Sequence, residues 1–221
     1  MSDSGAAYDA GMNHLISKII ISAPFGNYLN TPGVTSTLGT YTVKNRAGRL
    51  RWWLFWRILR TLRFRPGLRA WTNKLGLPNP GINHLLNLKR EHVQGRILSI
   101  HGFNDQEWDE LLVAAKIAAK NDLCGLELNI SCPNVGHLSV PPWLFRRAQE
   151  TGIPVIAKLP PVNYWDTFRL AYDEGVRVFH CCNTLPVPAG GMSGQPLMRV
   201  SPDVIKRLKD SYPEAKIIGG G

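Results

Sequence analysis

The sequence predicts an α/β protein built on a parallel sheet that rolls toward a (β/α)8 TIM-type barrel, and three observations carry that reading. From Gly95 onward, short β-branched runs alternate with amphipathic helical stretches, the pattern of a parallel sheet with helical crossovers. No G-x-G-x-x-G follows the first strand, so the dinucleotide fingerprint of an open Rossmann sheet is missing. Polar residues fall at the C-terminal ends of several different strands: Lys44, Asn129, Lys158 and Asn183. That distribution suits a barrel whose site is built from loops on one face. The strand count stops at about seven, so the barrel reads as incomplete, with its eighth strand missing.

Two early strands are expected in "KIIISA" (Lys18–Ala23) and "TYTVK" (Thr40–Lys44), followed by "GRILSIHG" from Gly95. A helix then opens at Asn104, a good N-cap, with Glu107 three residues on in capping-box spacing. "LCGLELNI" is the next strand. Within it Glu127 and Asn129 share one parity, and Leu126, Leu128 and Ile130 the other. In a barrel the apolar set packs under the helices and the polar set points inward, which puts Asn129 at the mouth. "PPWLFRRAQETG" reads as a helix ended by Gly152, "PVIAKL" as a strand, "NYWDTFRLAYDEG" as a helix closed by Gly175, and "VRVFHCCN" as a strand. "SPDVIKRLKDSY" takes Ser201 as cap and Pro202 at the first helical position, and "KIIGGG" is a strand that runs into its turn.

With 221 residues, 44% of them hydrophobic, the chain can bury one sizeable core and is read as a single domain, residues 1–221. Cys124, Cys132, Cys181 and Cys182 form no CxxC pair and no His/Cys ligand spacing, which argues against zinc and for a reducing cytoplasm. No basic-then-apolar leader opens the sequence, and no stretch approaches the ~18 apolar residues of a membrane span. The +10 charge is uneven: residues 1–100 hold 14 Lys+Arg against 3 Asp+Glu, residues 101–221 hold 12 against 13. Most of the excess lies in a basic, Trp/Arg-rich insertion, Arg46 to Trp71, which marks a surface-binding element.

Six segments resemble the dihydroorotate dehydrogenase family, flavin-dependent barrel enzymes of pyrimidine biosynthesis, and they occur in the family's order. They are "LGLPNPGI" (Leu75–Ile82), "LELNISCPN", "PVIAKLPP", "CNT" (Cys182–Thr184), "GGMSGQPL" (Gly190–Leu197) and "KIIGGG". The resemblance implies FMN as cofactor and oxidation of dihydroorotate to orotate, with hydride passing to flavin N5. Cys132 resembles the general base of the soluble, cysteine-base class; a thiol can serve if neighbouring cations favour the thiolate. Lys158 matches the lysine set against the flavin, where its charge would stabilise the reduced ring, and Lys44 resembles the family's other active-site lysine. Asn79, Asn129, Asn134 and Asn183, with Thr184, match the hydrogen-bonding ring around the pyrimidine. Amides suit that task because the substrate offers both donors and acceptors. Gly190, Gly191 and Gly194, and Gly219, Gly220 and Gly221, would let backbone approach the flavin phosphate. No metal is implied.

The chain departs from that family in being short for a barrel, which typically needs ~250 residues. A seven-strand barrel has an open seam with two unpaired edges, so a homo-oligomer or a partner segment would complete it. The other departure is Trp52–Phe64. On a helical wheel its aromatic and aliphatic residues cover about half the circumference, with Arg57 and Arg60 opposite. The segment reads as an imperfect amphipathic helix that contacts either an anionic membrane or another subunit, so the cytoplasmic assignment extends to a peripheral one. Nucleic acid is disfavoured, because the aromatics sit among aliphatics. Two alternatives to dihydroorotate oxidation remain open: a non-catalytic barrel-derived subunit of a membrane assembly, and a related flavin dehydrogenase acting on another dihydropyrimidine.

Overall fold

The alternation in the sequence folds as a curled parallel sheet backed by helices. The computed structural model describes residues 16–46, 61–131 and 140–220. Its strands are β1 (Ile20–Ile21), β2 (Thr35–Tyr41), β3 (Arg63–Arg65), β4 (Ala70–Asn73), β5 (Ile97–Ile100), β6 (Gly125–Asn129), β7 (Val155–Lys158), β8 (Val178–Cys181), β9 (Leu185–Val187), β10 (Gly190–Gly194) and β11 (Lys216–Gly219). The described α-helices are α1 (Ile82–Leu86), α2 (Asp105–Ala118), α3 (Leu144–Gln149), α4 (Trp165–Asp173) and α5 (Gln195–Ser211). Seven strands form one sheet in the order β1-β2-β5-β6-β7-β8-β11, all paired in parallel.

Side-chain alternation divides this sheet into two faces, as the parity of "LELNI" requires. Leu126 and Leu128 join Val155, Ala157, Phe179 and the inner sides of α2, α3 and α4 in the main core. There Phe168 meets Phe179 with ring centroids 4.5 Å apart. The opposite face has its own apolar floor of Ile97, Ile156 and Val178. Ile20 from β1 and Ile218 from β11 both pack on that floor, although their strands lie at the two ends of the sheet. Only a sheet curled on itself brings both ends to one inner cluster. The result is a half-barrel, consistent with an incomplete (β/α)8 barrel. A cavity of about 290 Å³ opens between the two end strands, lined by Ser17, Lys18 and Ile20 on one side and His180, Ile218 and Gly219 on the other.

Local signals were largely realised. The Asn104 side chain accepts from the Glu107 N–H at 2.9 Å, and Glu107 reaches back to the Phe103 N–H at 3.1 Å, one residue before the cap. Gly152 and Gly175, at φ +75° and +93°, follow the ends of α3 and α4. Three boundaries differ from expectation. β2 spans Thr35–Tyr41 rather than Thr40–Lys44, so Lys44 does not end a strand; it lies exposed on the following loop. α5 begins at Gln195, so Ser201 is no cap; its hydroxyl donates to the Gly220 carbonyl at 3.0 Å. "GGMSG", to which the sequence reading assigns no element, is the strand β10.

That strand belongs to a second sheet that the sequence reading omits: an antiparallel layer in the order β3-β4-β10-β9. Gly190 and Gly194 have φ of +112° and +102°, and a Cβ on either would collide with backbone leading into or out of β4. Close approach to β4 is therefore what demands glycine there. The expected amphipathic helix over Trp52–Phe64 falls largely outside the described residues, but its last two positions are not helical. Arg63 and Phe64 lie in β3, paired with β4. No described helix is long and apolar enough to cross a membrane.

Candidate functional site

The inner face carries polar side chains above its apolar floor. An acidic residue in a buried parallel strand needs a cation within reach, because an isolated buried charge is too costly to hold. Glu127, 2% exposed, finds two partners on the next two strands of the sheet, β7 and β8. Lys158 Nζ stands 3.4 Å from its Oε1, and His180 Nδ1 donates to its Oε2 at 2.7 Å. The Ser99 hydroxyl also donates to Oε1 at 2.8 Å. Burial alone raises the Glu127 carboxyl. Lys158, His180 and Ser99 together outweigh it and hold the group at about 2, so it is ionised at neutral pH.

An ionised carboxylate only accepts hydrogen bonds, and this sets the direction of a chain leading up to the rim. Ser99 gives its proton to Glu127, so at the 3.0 Å contact between Thr40 Oγ1 and Ser99 Oγ it is Thr40 that donates. Thr40 Oγ1 in turn accepts from Asn129 Nδ2 at 3.0 Å. The Asn129 amide is thereby oriented, with Oδ1 turned toward Asn183 Nδ2 at 3.4 Å and Ser131 Oγ at 3.5 Å. Asn183 Nδ2 also donates to Ser131 at its carbonyl (3.2 Å) and its hydroxyl (3.1 Å), while its Oδ1 accepts from the Thr184 N–H at 2.9 Å. Parallel register makes this possible: Glu127 lies across from Ser99, and Asn129 across from Lys158, itself across from His180.

The structure thus gathers Lys158, Asn129, Asn183 and Thr184 at the C-terminal ends of β6, β7 and β8. The remaining expected residues stand differently. Asn79 is buried at 3% exposure, and its amide is fully committed within the protein. Oδ1 accepts from the N–H groups of Thr42 and Gly81, and Nδ2 donates to Thr42 Oγ1 and the Leu77 carbonyl. Asn79 therefore braces its loop against the chain leaving β2. Among the described residues, Lys44 makes no side-chain hydrogen bond to the rim cluster. Gly190, Gly191 and Gly194 lie in β10. Gly219 ends β11 and is exposed, and a Cβ on Gly220 would come within 2.6 Å of His180 Nε2. Cys132, Asn134 and Gly221 lie outside the described residues.

Sequence reasoning placed Glu127 on the inward face but gave it no role, and it gave none to His180. The available signal was a carboxylate inside an otherwise apolar strand, with a lysine at the end of the next one. Ser99 and Thr40 carried no such signal, since hydroxyls are common in strands. His101 was also missed. It is 2% exposed, its Nδ1 donates to the Asn129 carbonyl at 2.7 Å, and burial pushes its pKa down. No metal-binding cluster of His, Cys, Asp or Glu occurs among the described residues.

Comparison with known proteins gives a consistent set of relatives. The chain is 30% identical over 182 residues to the catalytic subunit of dihydroorotate dehydrogenase B (NAD(+)) from Streptococcus pneumoniae, covering 67% of this chain and 57% of that protein. It is 35% identical over 111 residues to the protein of the same name from Fusobacterium nucleatum, covering 45% of this chain and 36% of that one. A third relative is dihydroorotate dehydrogenase A (fumarate) from Lactobacillus delbrueckii, 30% identical over 113 residues, 45% of this chain and 36% of that protein. The chain thus spans between 36% and 57% of the length of these three relatives. No family model matches it.

Proposed function

The chain is related to the dihydroorotate dehydrogenase family, and on that premise we propose that it is an FMN-dependent oxidoreductase that converts dihydroorotate to orotate. The observation that carries this reading is the hydrogen-bonded chain from Glu127 to the Asn129 and Asn183 amides, beside Lys158 on one rim.

The residues present fit a flavin by their donor chemistry. Lys158 is a buried cation at the rim and would hold the flavin, offsetting negative charge on the reduced ring. Gly219, with Gly221 beyond it, would offer backbone N–H groups to the phosphate, while Gly220, whose own N–H goes to the Cys181 carbonyl at 2.7 Å, would hold that turn against β8. Gly190, Gly191 and Gly194 would act from β10. FMN, when bound, supplies the hydride acceptor.

The chain's own residues do the rest. Asn129 and Asn183 would orient the pyrimidine. Among the described residues one N–H of Asn129 has no protein partner, and the Asn183–Asn129 contact at 3.4 Å is long enough to yield to a ligand. Asn79 would contribute by fixing its loop, Thr184 by its place beside Asn183, and Asn134 from the segment after Cys132. Cys132 would remove the proton from substrate carbon as the hydride leaves the adjacent carbon, so the C–C single bond becomes a double bond.

Turnover with a dye acceptor tests the proposal. With FMN added, orotate is expected from dihydroorotate, and no product from dihydrouracil. Turnover of dihydrouracil alone would reassign the substrate. No product from either, with FMN bound, would contradict the reading.

A further inference from the structure

The antiparallel sheet ends in a hairpin, β3 to β4, whose surface chemistry the proposed oxidoreductase does not use. Phe64, Leu68 and Trp71 are 48%, 54% and 44% exposed. Phe64 and Trp71 face each other across the hairpin with ring centroids 5.0 Å apart, and Leu68 sits in the turn between them. Arg63 and Arg65 alternate with Phe64 along the edge strand β3, on the side away from the rings, Arg69 closes the turn, and all three are exposed. None of the three makes an ion pair among the described residues. From Ala10 to Arg90 the chain carries thirteen Lys and Arg and no Asp or Glu, so no nearby carboxylate in the sequence offsets them.

We propose that this hairpin is a docking surface for an anionic lipid bilayer. Exposed aromatic and leucine side chains gathered at a turn, on a hairpin that also carries three exposed arginines without an ion pair among the described residues, match the two layers of a membrane surface. Apolar tips enter the acyl boundary, while the guanidinium groups stay at the depth of the lipid phosphates. Tryptophan favours that interface because one side of its ring is apolar and its N–H is not. An acidic protein would satisfy the arginines but would not call for three large apolar side chains at the tip, which favours the bilayer. The lipid-facing hairpin leaves the β6–β8 rim to its own chemistry, and the two assignments stand or fall separately.

Sedimentation of the full chain with vesicles tests the proposal. Binding is expected to phosphatidylcholine vesicles containing phosphatidylglycerol, weakened by salt, with little binding to phosphatidylcholine alone. Replacing Arg63, Arg65 and Arg69 together by glutamine should weaken binding by about fivefold per arginine. The combination Phe64→Ser, Leu68→Ser and Trp71→Ser should abolish it. Should that variant misfold, Leu68→Cys carrying an environment-sensitive dye decides the matter, since residue 68 is exposed in a turn. Its emission should shift to the blue on anionic vesicles. No sedimentation with anionic vesicles, no dye shift, or capture only by an acidic polypeptide would each overturn the proposal.

Discussion

Replacing Glu127 with alanine is expected to destabilise the protein by roughly 3–5 kcal/mol, because it strands a buried lysine without its counter-charge. Lys158 is 6% exposed and His180 5%, so neither can turn to water for compensation. Ser99 would lose its acceptor too, and with it the order that orients Thr40 and Asn129. Glu127→Gln keeps the shape but replaces an ion by an amide, and should cost less than alanine. The pH dependence has a definite sign. The folded protein holds the Glu127 carboxyl at about 2, below its ordinary value of 4.5. Its stabilisation is therefore fully present above pH 4.5 and is lost as pH falls toward 2. The amount at neutral pH is about 3 kcal/mol. Urea unfolding followed by circular dichroism across that window should show the wild type losing stability more steeply than Glu127→Ala. A cost below about 1 kcal/mol, the scale of an exposed pair, would mean that the carboxylate is not the hub described.

Replacing Cys132 with alanine is expected to lower turnover by roughly two to four orders of magnitude, the usual contribution of a positioned base. Flavin binding should survive, because the groups assigned to the cofactor lie on β7, β10 and β11. The argument rests on Ser131, which immediately precedes the cysteine. Asn183 grips Ser131 by both its carbonyl and its hydroxyl, so Ser131 is a fixed point on the rim. A serine in place of the cysteine should retain more activity at high pH than alanine does, since it keeps an ionisable O–H. Near-normal turnover by Cys132→Ala, measured with saturating dihydroorotate, would remove the cysteine from the mechanism.

The parallel sheet was legible because each strand and helix carried its own local signal. The parity of "LELNI" placed Leu126 and Leu128 under the helices and Glu127 and Asn129 inside, and the structure follows it. Boundaries were less legible where the signal was ambiguous. Thr35–Leu38 contains no alternation of apolar and polar residues, so the start of β2 passed unnoticed. Pro202 resembled a helix start because proline is tolerated there, yet α5 has another proline at its true beginning, Pro196. The second sheet escaped because glycine-rich "GGMSG" has almost no strand propensity of its own. β4 imposes its conformation through close backbone contact. At the rim, residue type pointed to Asn79 and Asn129 alike. Only the hydrogen-bond inventory separates a saturated amide from one with capacity to spare.

The central claim is that the rim around Lys158 receives a flavin, and titration with FMN tests it most directly. Adding FMN to the purified chain should give a saturable shift in the flavin's visible absorption. Lys158→Met, which keeps the side chain's length and removes its charge, should weaken that binding by at least about tenfold. No spectral shift with the wild type, or equal affinity in the two proteins, would contradict the account.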